Sequence, residues 1–245
     1  MKASRNTVHD PMAPYMRIYE EVSCLDAALA KKLATHFERI REINPELISA
    51  YEETIARWKE SGVGGGIPHK GSPFPDFVLP DHEGKLVALH DLLRRGHLVI
   101  SFNRGHWCPY CHHELTAIKR IYREIRARGS DAISIMPEKG TYARRSVENL
   151  GLPFPVLCDI DHTLALACGL MVPVGVKLQA FYRKMKMDLP TFQGNPGWNI
   201  TLPGTFVLDP SGRVLAALAS PDLRERMAPE TILAALPKRR FRLFS

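Results

Sequence analysis

Residues 102–113 read Phe102-Asn-Arg-Gly-His-Trp-Cys-Pro-Tyr-Cys-His-His113. They follow the apolar run 98–102, which predicts a buried strand, and they lead into an amphipathic pattern that predicts a helix over about 108–128. Cys108 therefore stands at the start of a helix, where unpaired backbone N–H groups and the helix dipole stabilise a thiolate. This position makes Cys108 the expected nucleophile.

A second cysteine, Cys111, lies one helical turn beyond the first, so the two sulfur atoms are close enough for a disulfide. Pro109 suits the first turn, because its missing N–H would have no partner there and its φ is already helical. The pair predicts a cycle in which Cys108 attacks an oxidised substrate and Cys111 then closes a disulfide with it. We expect Trp107 to pack beside the thiol and shield it.

Three other interpretations of this pair remain open. The string Cys-Pro-Tyr-Cys-His matches a c-type haem attachment motif, although that chemistry normally follows export and no export signal is evident. A zinc site could combine the cysteines with His106, His112 or His113, but no second Cys-x-x-Cys or spaced His pair completes four ligands. The cysteines could also be inert core residues at a helix start.

Composition points to a globular protein without a membrane signature. The chain has 245 residues, 45% of them hydrophobic, and a formal net charge of +7. Its dense basic run, 238–242, is expected to be a solvated tail rather than a nucleic-acid site. Neither a leader-like apolar segment nor a membrane-length apolar run occurs, and five cysteines are too few for a disulfide scaffold. These features favour a cytoplasmic location.

The pattern along the chain changes near residue 70. Apolar residues at helical spacing between about 25 and 58 predict two helices, interrupted at Asn44-Pro45 by a cap and a first-turn proline. The glycine-rich segment 62–71 predicts a linker. Beyond it, short β-rich runs alternate with helical patterns, which is typical of an α/β fold with a mixed sheet. The predicted strands are 98–102, 132–136, 155–158, 205–209 and 214–218, the last two joined as a hairpin by 209–212, and the further helices are about 141–150, 161–169 and 229–236.

From residue 71 to the C-terminus the chain resembles the peroxiredoxin-like branch of the AhpC/TSA family. The motifs that carry the resemblance are Pro-Phe-Pro-Asp-Phe-Val-Leu-Pro-Asp at 73–81, Gly84-Lys85, Asp91-Leu92, Trp-Cys-Pro-Tyr-Cys at 107–111, Pro-Val-Leu-Cys-Asp at 155–159 and Leu-Pro-Gly-Thr-Phe-Val-Leu-Asp at 202–209. The resemblance implies a thioredoxin-like fold over 71–245, a mixed central sheet flanked by helices, with 1–70 as an N-terminal helical extension and linker. It also places Cys108 at the position of the family's peroxide-attacking cysteine.

Departures from the family pattern concern the groups that orient the peroxide. Ser101 stands where peroxiredoxins carry proline, and Gly105 stands where they carry threonine. The position of their distant activating arginine is occupied by Pro203, so Arg104 is the candidate substitute. Pro203 resembles instead the cis-proline that offers backbone to substrates in thioredoxins; an ordinary trans proline at a strand start is the alternative.

The sequence therefore predicts a thiol oxidoreductase that reduces peroxides through a Cys108–Cys111 disulfide. Thioredoxin or a glutathione-type thiol would regenerate it, without metal or nucleotide cofactor. Arg104, Trp107, Pro109 and Pro203 are the expected substrate contacts. The alternatives are reduction of protein disulfides and a non-catalytic redox-sensing or partner-binding module. We expect the N-terminal helices to cover the domain or to form a homodimer, and Cys158 or Cys168 to be secondary candidates for the resolving thiol, with Cys168 favoured as a core residue.

Overall fold

The computed structural model describes residues 11–238. In this range the helices are Ala13–Ser23 (α1), Leu29–Ile43 (α2), Pro45–Glu60 (α3), Leu89–Leu93 (α4), Pro109–Ala127 (α5), Gly140–Leu150 (α6), Thr163–Ala167 (α7), Val176–Lys184 (α8), Leu189–Gln193 (α9) and Pro229–Ala235 (α10). The strands are Val78–Pro80 (β1), Leu86–Ala88 (β2), His97–Phe102 (β3), Ser130–Met136 (β4), Val156–Cys158 (β5), Met171–Pro173 (β6), Asn199–Thr201 (β7), Gly204–Leu208 (β8) and Val214–Ala219 (β9).

Five strands form the central sheet, in the order β5-β4-β3-β8-β9. The strands β3, β4 and β5 are parallel, whereas β8 is antiparallel to β3 and β9 is antiparallel to β8. Strand β3 is buried along nearly all its length, as expected for a strand with both faces covered. The sheet is thus mixed, and the five strands predicted from the sequence are all present in it.

Helix α5 follows β3 directly and carries the two cysteines at its first turn. Farther along, Leu115, Ile118 and Ile125 are buried in a hydrophobic cluster that includes Val99 of β3 and Val207 of β8. The cysteines belong instead to a second cluster, together with Phe102 and Phe206. The helix is therefore anchored along its length while its first turn lies at the end of β3.

The N-terminal helices pack against the rest of the chain. Asn44 caps α3 by accepting a hydrogen bond from the backbone N–H of Leu47 at 3.0 Å, and Pro45 is the first helical residue, so the predicted interruption is confirmed. Helices α1 and α2 contact α5, and α3 contacts α8. Leu33 and Phe37 of α2 have no exposed surface and share the cluster that contains the two cysteines. These helices cover the region around the cysteines, and self-association stays a prediction.

The boundary near residue 70 between the N-terminal extension and the thioredoxin-like domain also stays a prediction, because one hydrophobic cluster contains residues from both sides of it. Helix α1 was not predicted and adds to the expected pair. Of the basic run, Lys238 is described, whereas Arg239, Arg240 and Arg242 lie outside the described residues. No helix within 11–238 combines the length and the apolar character needed to cross a membrane.

Candidate active site

The two cysteines of α5 form a buried dithiol. Cys108 is the N-cap of the helix, and its sulfur accepts the backbone N–H of Cys111 at 3.4 Å. The Cys111 thiol donates to the Cys108 sulfur at a sulfur–sulfur distance of 2.8 Å. Both residues are free cysteines with 0% exposed surface. The predicted helix start therefore brings the sulfur atoms into contact, in a position that solvent does not reach.

Arg104 lies against the Cys108 sulfur. Its Nε and Nη2 donate to Cys108 Sγ at 3.4 and 3.3 Å, and the residue is only 4% exposed. None of the carboxylates within 11–238 forms an ion pair with this guanidinium. Since a buried charge without a counter-charge is strongly unfavourable, the Cys108 thiolate is the group that neutralises Arg104.

The two thiols have opposite protonation tendencies. Burial opposes ionisation of Cys108, but the hydrogen bond from Cys111 and the positive charge of Arg104 together hold the pKa of Cys108 well below its ordinary value. Burial raises the pKa of Cys111 well above its ordinary value. The hydrogen bond that Cys111 donates to Cys108 and the negative charge of Cys108 raise the pKa of Cys111 further. Cys108 is thus the thiolate of the pair and Cys111 its proton-bearing partner.

A buried ion pair between Glu114 and Arg226 adds to the charge around the dithiol. Arg226 Nε lies 2.7 Å from Glu114 Oε2, and both side chains are 1% exposed. Glu114 Oε1 also accepts hydrogen bonds from Ser101 at 3.3 Å and from Thr205 at 2.6 Å. Burial opposes ionisation of Cys108, and the positive charge of Arg226 lowers the pKa of Cys108 further, with a smaller effect than the Cys111 hydrogen bond or Arg104. Sequence reasoning missed this pair, because nothing in the motifs connects residues 114 and 226.

The backbone conformation and the close neighbours of residue 105 allow only glycine at this position. Its φ is +145°, and a Cβ there would lie 2.5 Å from Glu138 Oε1 and 2.6 Å from Trp107 Nε1. Glu138 is fully buried and accepts the backbone N–H of His106 at 2.8 Å, while its Oε1 lies 2.9 Å from His106 Nδ1. The threonine that peroxiredoxins carry at this position has no room here, which gives a physical reason for the departure seen in the sequence.

A narrow cavity of about 40 Å³ lies beside Arg104. Arg104, Trp107 and Pro109 line one side of it, and apolar and aromatic residues of α1, α2 and α3 line the other. The exposed polar surface of its wall is very small. Three of the four expected substrate contacts therefore share one cavity, although their contact with substrate stays a prediction.

Pro203, the fourth expected contact, does not line this cavity. It is buried just before β8, two residues from Thr205. The resemblance to a cis-proline was wrong, because the described residues contain no cis peptide bond. The trans form is the favoured isomer of an X-Pro bond, and here it leads directly into an ordinary antiparallel strand.

The remaining cysteines and histidines lie in other environments. Burial raises the pKa of Cys158 and of Cys168 to about 12, so both are protonated, poorly reactive thiols, whereas Cys24 is exposed. The packing of α1 and α2 over α5 buries both His112 and His113. Among residues 11–238, no three His, Cys, Asp or Glu side chains are arranged to hold a metal ion.

Comparison with known proteins identifies a family and related enzymes. The sequence pattern of the AhpC/TSA family matches residues 70–217. The thiol-disulfide oxidoreductase ResA of Bacillus subtilis (strain 168) is 25% identical over 147 residues, which are 60% of this chain and 65% of that protein. The protein of the same name from Halalkalibacterium halodurans is 31% identical over 105 residues, 42% of this chain and 58% of its own length. The chain thus spans less than two thirds of each of these two relatives.

Solved structures confirm the thioredoxin-like fold expected from the sequence. Peroxidoxin BcpB from Mycobacterium tuberculosis superposes with a TM-score of 0.54 at 22% identity, over 69% of this chain and 96% of that one. Peroxiredoxin Q from Xanthomonas campestris gives a TM-score of 0.50 at 18% identity, over 65% and 88% of the two chains. These two likenesses concern the fold alone.

Proposed function

Because this chain belongs to the AhpC/TSA family, we propose that it is a thiol-based oxidoreductase that reduces peroxides through a Cys108–Cys111 disulfide cycle. The observation that carries the proposal is the pairing of the buried Arg104 guanidinium with the Cys108 sulfur. It supplies hydrogen-bond donors at the point where a peroxide would be attacked. Arg104 thereby takes the place of the activating arginine that the family pattern carries where this chain has Pro203.

In the proposed first step, the Cys108 thiolate attacks one peroxide oxygen and the O–O bond breaks. Cys108 becomes a sulfenic acid, and the other oxygen leaves as hydroxide or alkoxide, which takes up a proton. The guanidinium donors of Arg104 stabilise the negative charge that shifts onto the leaving oxygen. Donors fixed in a site without water are effective because they need no reorganisation during the reaction.

In the second step, the Cys111 sulfur attacks the sulfur of the Cys108 sulfenic acid. A disulfide forms and water leaves, with the thiol hydrogen of Cys111 supplying one of its protons. The 2.8 Å distance between the sulfur atoms supports Cys111 as the resolving residue. An external thiol reductant then reduces the disulfide, and we propose that one thioredoxin dithiol or two molecules of a glutathione-type thiol in the cytoplasm supply the two electrons.

The surroundings of Cys108 favour a small oxidant. The sulfur has no exposed surface, and the cavity of about 40 Å³ beside its partner Arg104 admits a small molecule more readily than a protein segment. Within this proposal Arg104, Trp107 and Pro109 contact the peroxide, and Pro203 stays a predicted backbone contact.

A second candidate function is the reduction of protein disulfides. The Cys-x-x-Cys dithiol at a helix start and the relatives named thiol-disulfide oxidoreductase favour it. In that reaction Cys108 would attack a substrate sulfur to give a mixed disulfide, and Cys111 would release the reduced product. The buried position of Cys108 makes this the weaker candidate.

Steady-state turnover with three oxidants tests the two candidates. We expect hydrogen peroxide or an alkyl hydroperoxide to be consumed many times per chain, and a protein disulfide to react more slowly. Cys108→Ser should abolish activity, whereas Cys111→Ser should stop after one equivalent and trap a sulfenic acid. A trapped mixed disulfide with no peroxide turnover would favour the second candidate, and full turnover by Cys111→Ser would assign resolution to another thiol.

A further inference from the structure

Two tyrosines connect the Arg104 guanidinium to the surrounding helices. Arg104 Nη1 donates to the hydroxyl of Tyr182 at 3.4 Å. The Tyr182 hydroxyl in turn shares a hydrogen bond with the Tyr51 hydroxyl at 2.8 Å. Tyr182 has 0% exposed surface and Tyr51 has 8%, so water does not compete for these bonds. Burial holds the pKa of Tyr182 well above its ordinary value, so this residue is a neutral phenol.

Aromatic faces hold the same guanidinium from its sides. The Arg104 Cζ lies 5.7 Å from the ring centre of Tyr51 and 5.3 Å from that of Trp107. Tyr182 packs edge-on against Trp107, with ring centres 5.3 Å apart. Such contacts attract a cation without neutralising it, whereas a carboxylate would compete with Cys108 for the guanidinium.

The tyrosines come from parts of the chain far from the cysteine motif. Tyr51 lies on α3, outside the residues 70–217 that match the family pattern, and Tyr182 lies on α8. The contact between α3 and α8 brings them together over Arg104. The N–H groups that reach Cys108 are thus oriented by residues outside the first turn of α5.

We infer that Tyr51 and Tyr182 are positioning residues that hold Arg104 against the Cys108 sulfur, so that helix α3 forms part of the catalytic site. The Tyr182 hydroxyl fixes one end of the guanidinium, and Tyr51 fixes that hydroxyl. Nε and Nη2 are then left facing the sulfur. Loss of either hydroxyl lets the guanidinium rotate away, which weakens the stabilisation of the thiolate. The inference rests on the proposed function only in taking Cys108 as the nucleophile.

The test measures the Cys108 thiol rather than turnover. Reduced Tyr51→Phe and Tyr182→Phe are titrated by the ultraviolet absorbance of the thiolate, and the same variants with Cys108→Ser are subtracted. We expect the pKa of Cys108 to rise by about one unit in each, which lowers the thiolate fraction about tenfold at a pH below both values. Tyr122→Phe is the matched control, because Tyr122 lies on a later turn of α5 and its hydroxyl is bonded to Asp131 of β4.

Each outcome bears on the inference. Phenylalanine keeps the ring that faces Arg104, so a shift in Tyr51→Phe and Tyr182→Phe but not in Tyr122→Phe assigns the effect to the hydroxyl network. An unchanged pKa of Cys108 in both variants overturns the inference, even where turnover falls, since the tyrosines would then support the fold alone. If the shift appears in a protein that turns over no peroxide, the inference stands and the proposed function fails.

Discussion

At Cys108 two opposing effects act on one sulfur atom. Removal from water disfavours the thiolate, whereas the Cys111 thiol, the helix start and the Arg104 guanidinium favour it. A single unpaired buried charge costs several kcal/mol, so neither Arg104 nor the Cys108 thiolate would be stable in this place alone. The two groups therefore depend on each other, and a change in either one alters the ionisation of both.

Replacement of Arg104 should impair the chemical step. In Arg104→Met the pKa of Cys108 rises and the leaving oxygen loses its donors, so kcat/KM for the peroxide should fall about a hundredfold or more. Stopped-flow oxidation of the reduced enzyme measures this directly. Arg120→Met, which removes an exposed arginine from the middle of α5, should react like the wild type. An equal loss in both variants would contradict the role of Arg104.

The Arg104–Cys108 pair should also make stability depend on pH. The folded-state pKa of Cys108 lies below its ordinary value of 9.0, so the unfolded chain binds the extra proton between the two values. The contribution of the pair to stability is complete above pH 9.0 and is lost as pH falls through the folded-state pKa. The difference in unfolding free energy between reduced wild type and Cys108→Ser should decrease from pH 9 to pH 7, by at most about 1.4 kcal/mol per pH unit. Urea titrations at fixed pH values measure it, and a flat difference would contradict a thiolate at Cys108.

Individual residues were predictable where local sequence determines their position. The proline and the spacing of the cysteines predict the helix start. Arg104 was predicted as a site residue because Pro203 stands where the family carries its activating arginine. Glu114, Glu138, Arg226 and the two tyrosines could not be found in this way, because their contacts arise from packing between segments that are remote in sequence. The one signal for Glu114 in the sequence was the presence of a carboxylate among the apolar positions of the predicted helix α5.

At the scale of elements, strong periodicity and clear turn residues decided what was predictable. The strands of the central sheet and the long helices follow the expected ranges within a few residues. The strands β1, β2, β6 and β7 have three residues each, too few for a period to be recognised. Helices α8 and α9 are also short, so their positions depend on tertiary contacts rather than on local pattern.

The contact between α2 and α5 should be sensitive to acid. His36 Nδ1 and His113 Nε2 share a hydrogen bond of 3.1 Å, and burial lowers the pKa of His36 to about 4 and of His113 to about 3. The unfolded chain protonates these rings below about pH 6.5, so stability present above that value is lost as pH falls. His113→Gln should make the loss between pH 6.5 and pH 4 shallower. Unfolding free energies across that range test this, with the exposed His69→Gln as control; identical slopes would contradict it.

At the scale of the whole molecule, the N-terminal helices act as a cover over the dithiol. Removal of residues 1–62 should expose the cluster that they share with the cysteines, and with it the Cys108 sulfur. We expect stronger binding of a hydrophobic dye and faster alkylation of Cys108 by a bulky maleimide than in the full chain. Mass spectrometry after brief labelling locates the modified cysteine. An unchanged labelling rate at Cys108 would show that these helices do not restrict access.

Neither sulfur atom has exposed surface, so the oxidant and the reductant must reach the dithiol in different ways. In the proposed cycle a small peroxide would enter by way of the cavity beside Arg104, whereas a protein reductant must bring its own cysteine into contact with the disulfide. The cover then has to open once in every cycle, and the opening rate sets an upper limit on regeneration. With thioredoxin, turnover should reach a plateau that further reductant does not raise, whereas with a small thiol the rate should continue to increase in proportion to its concentration.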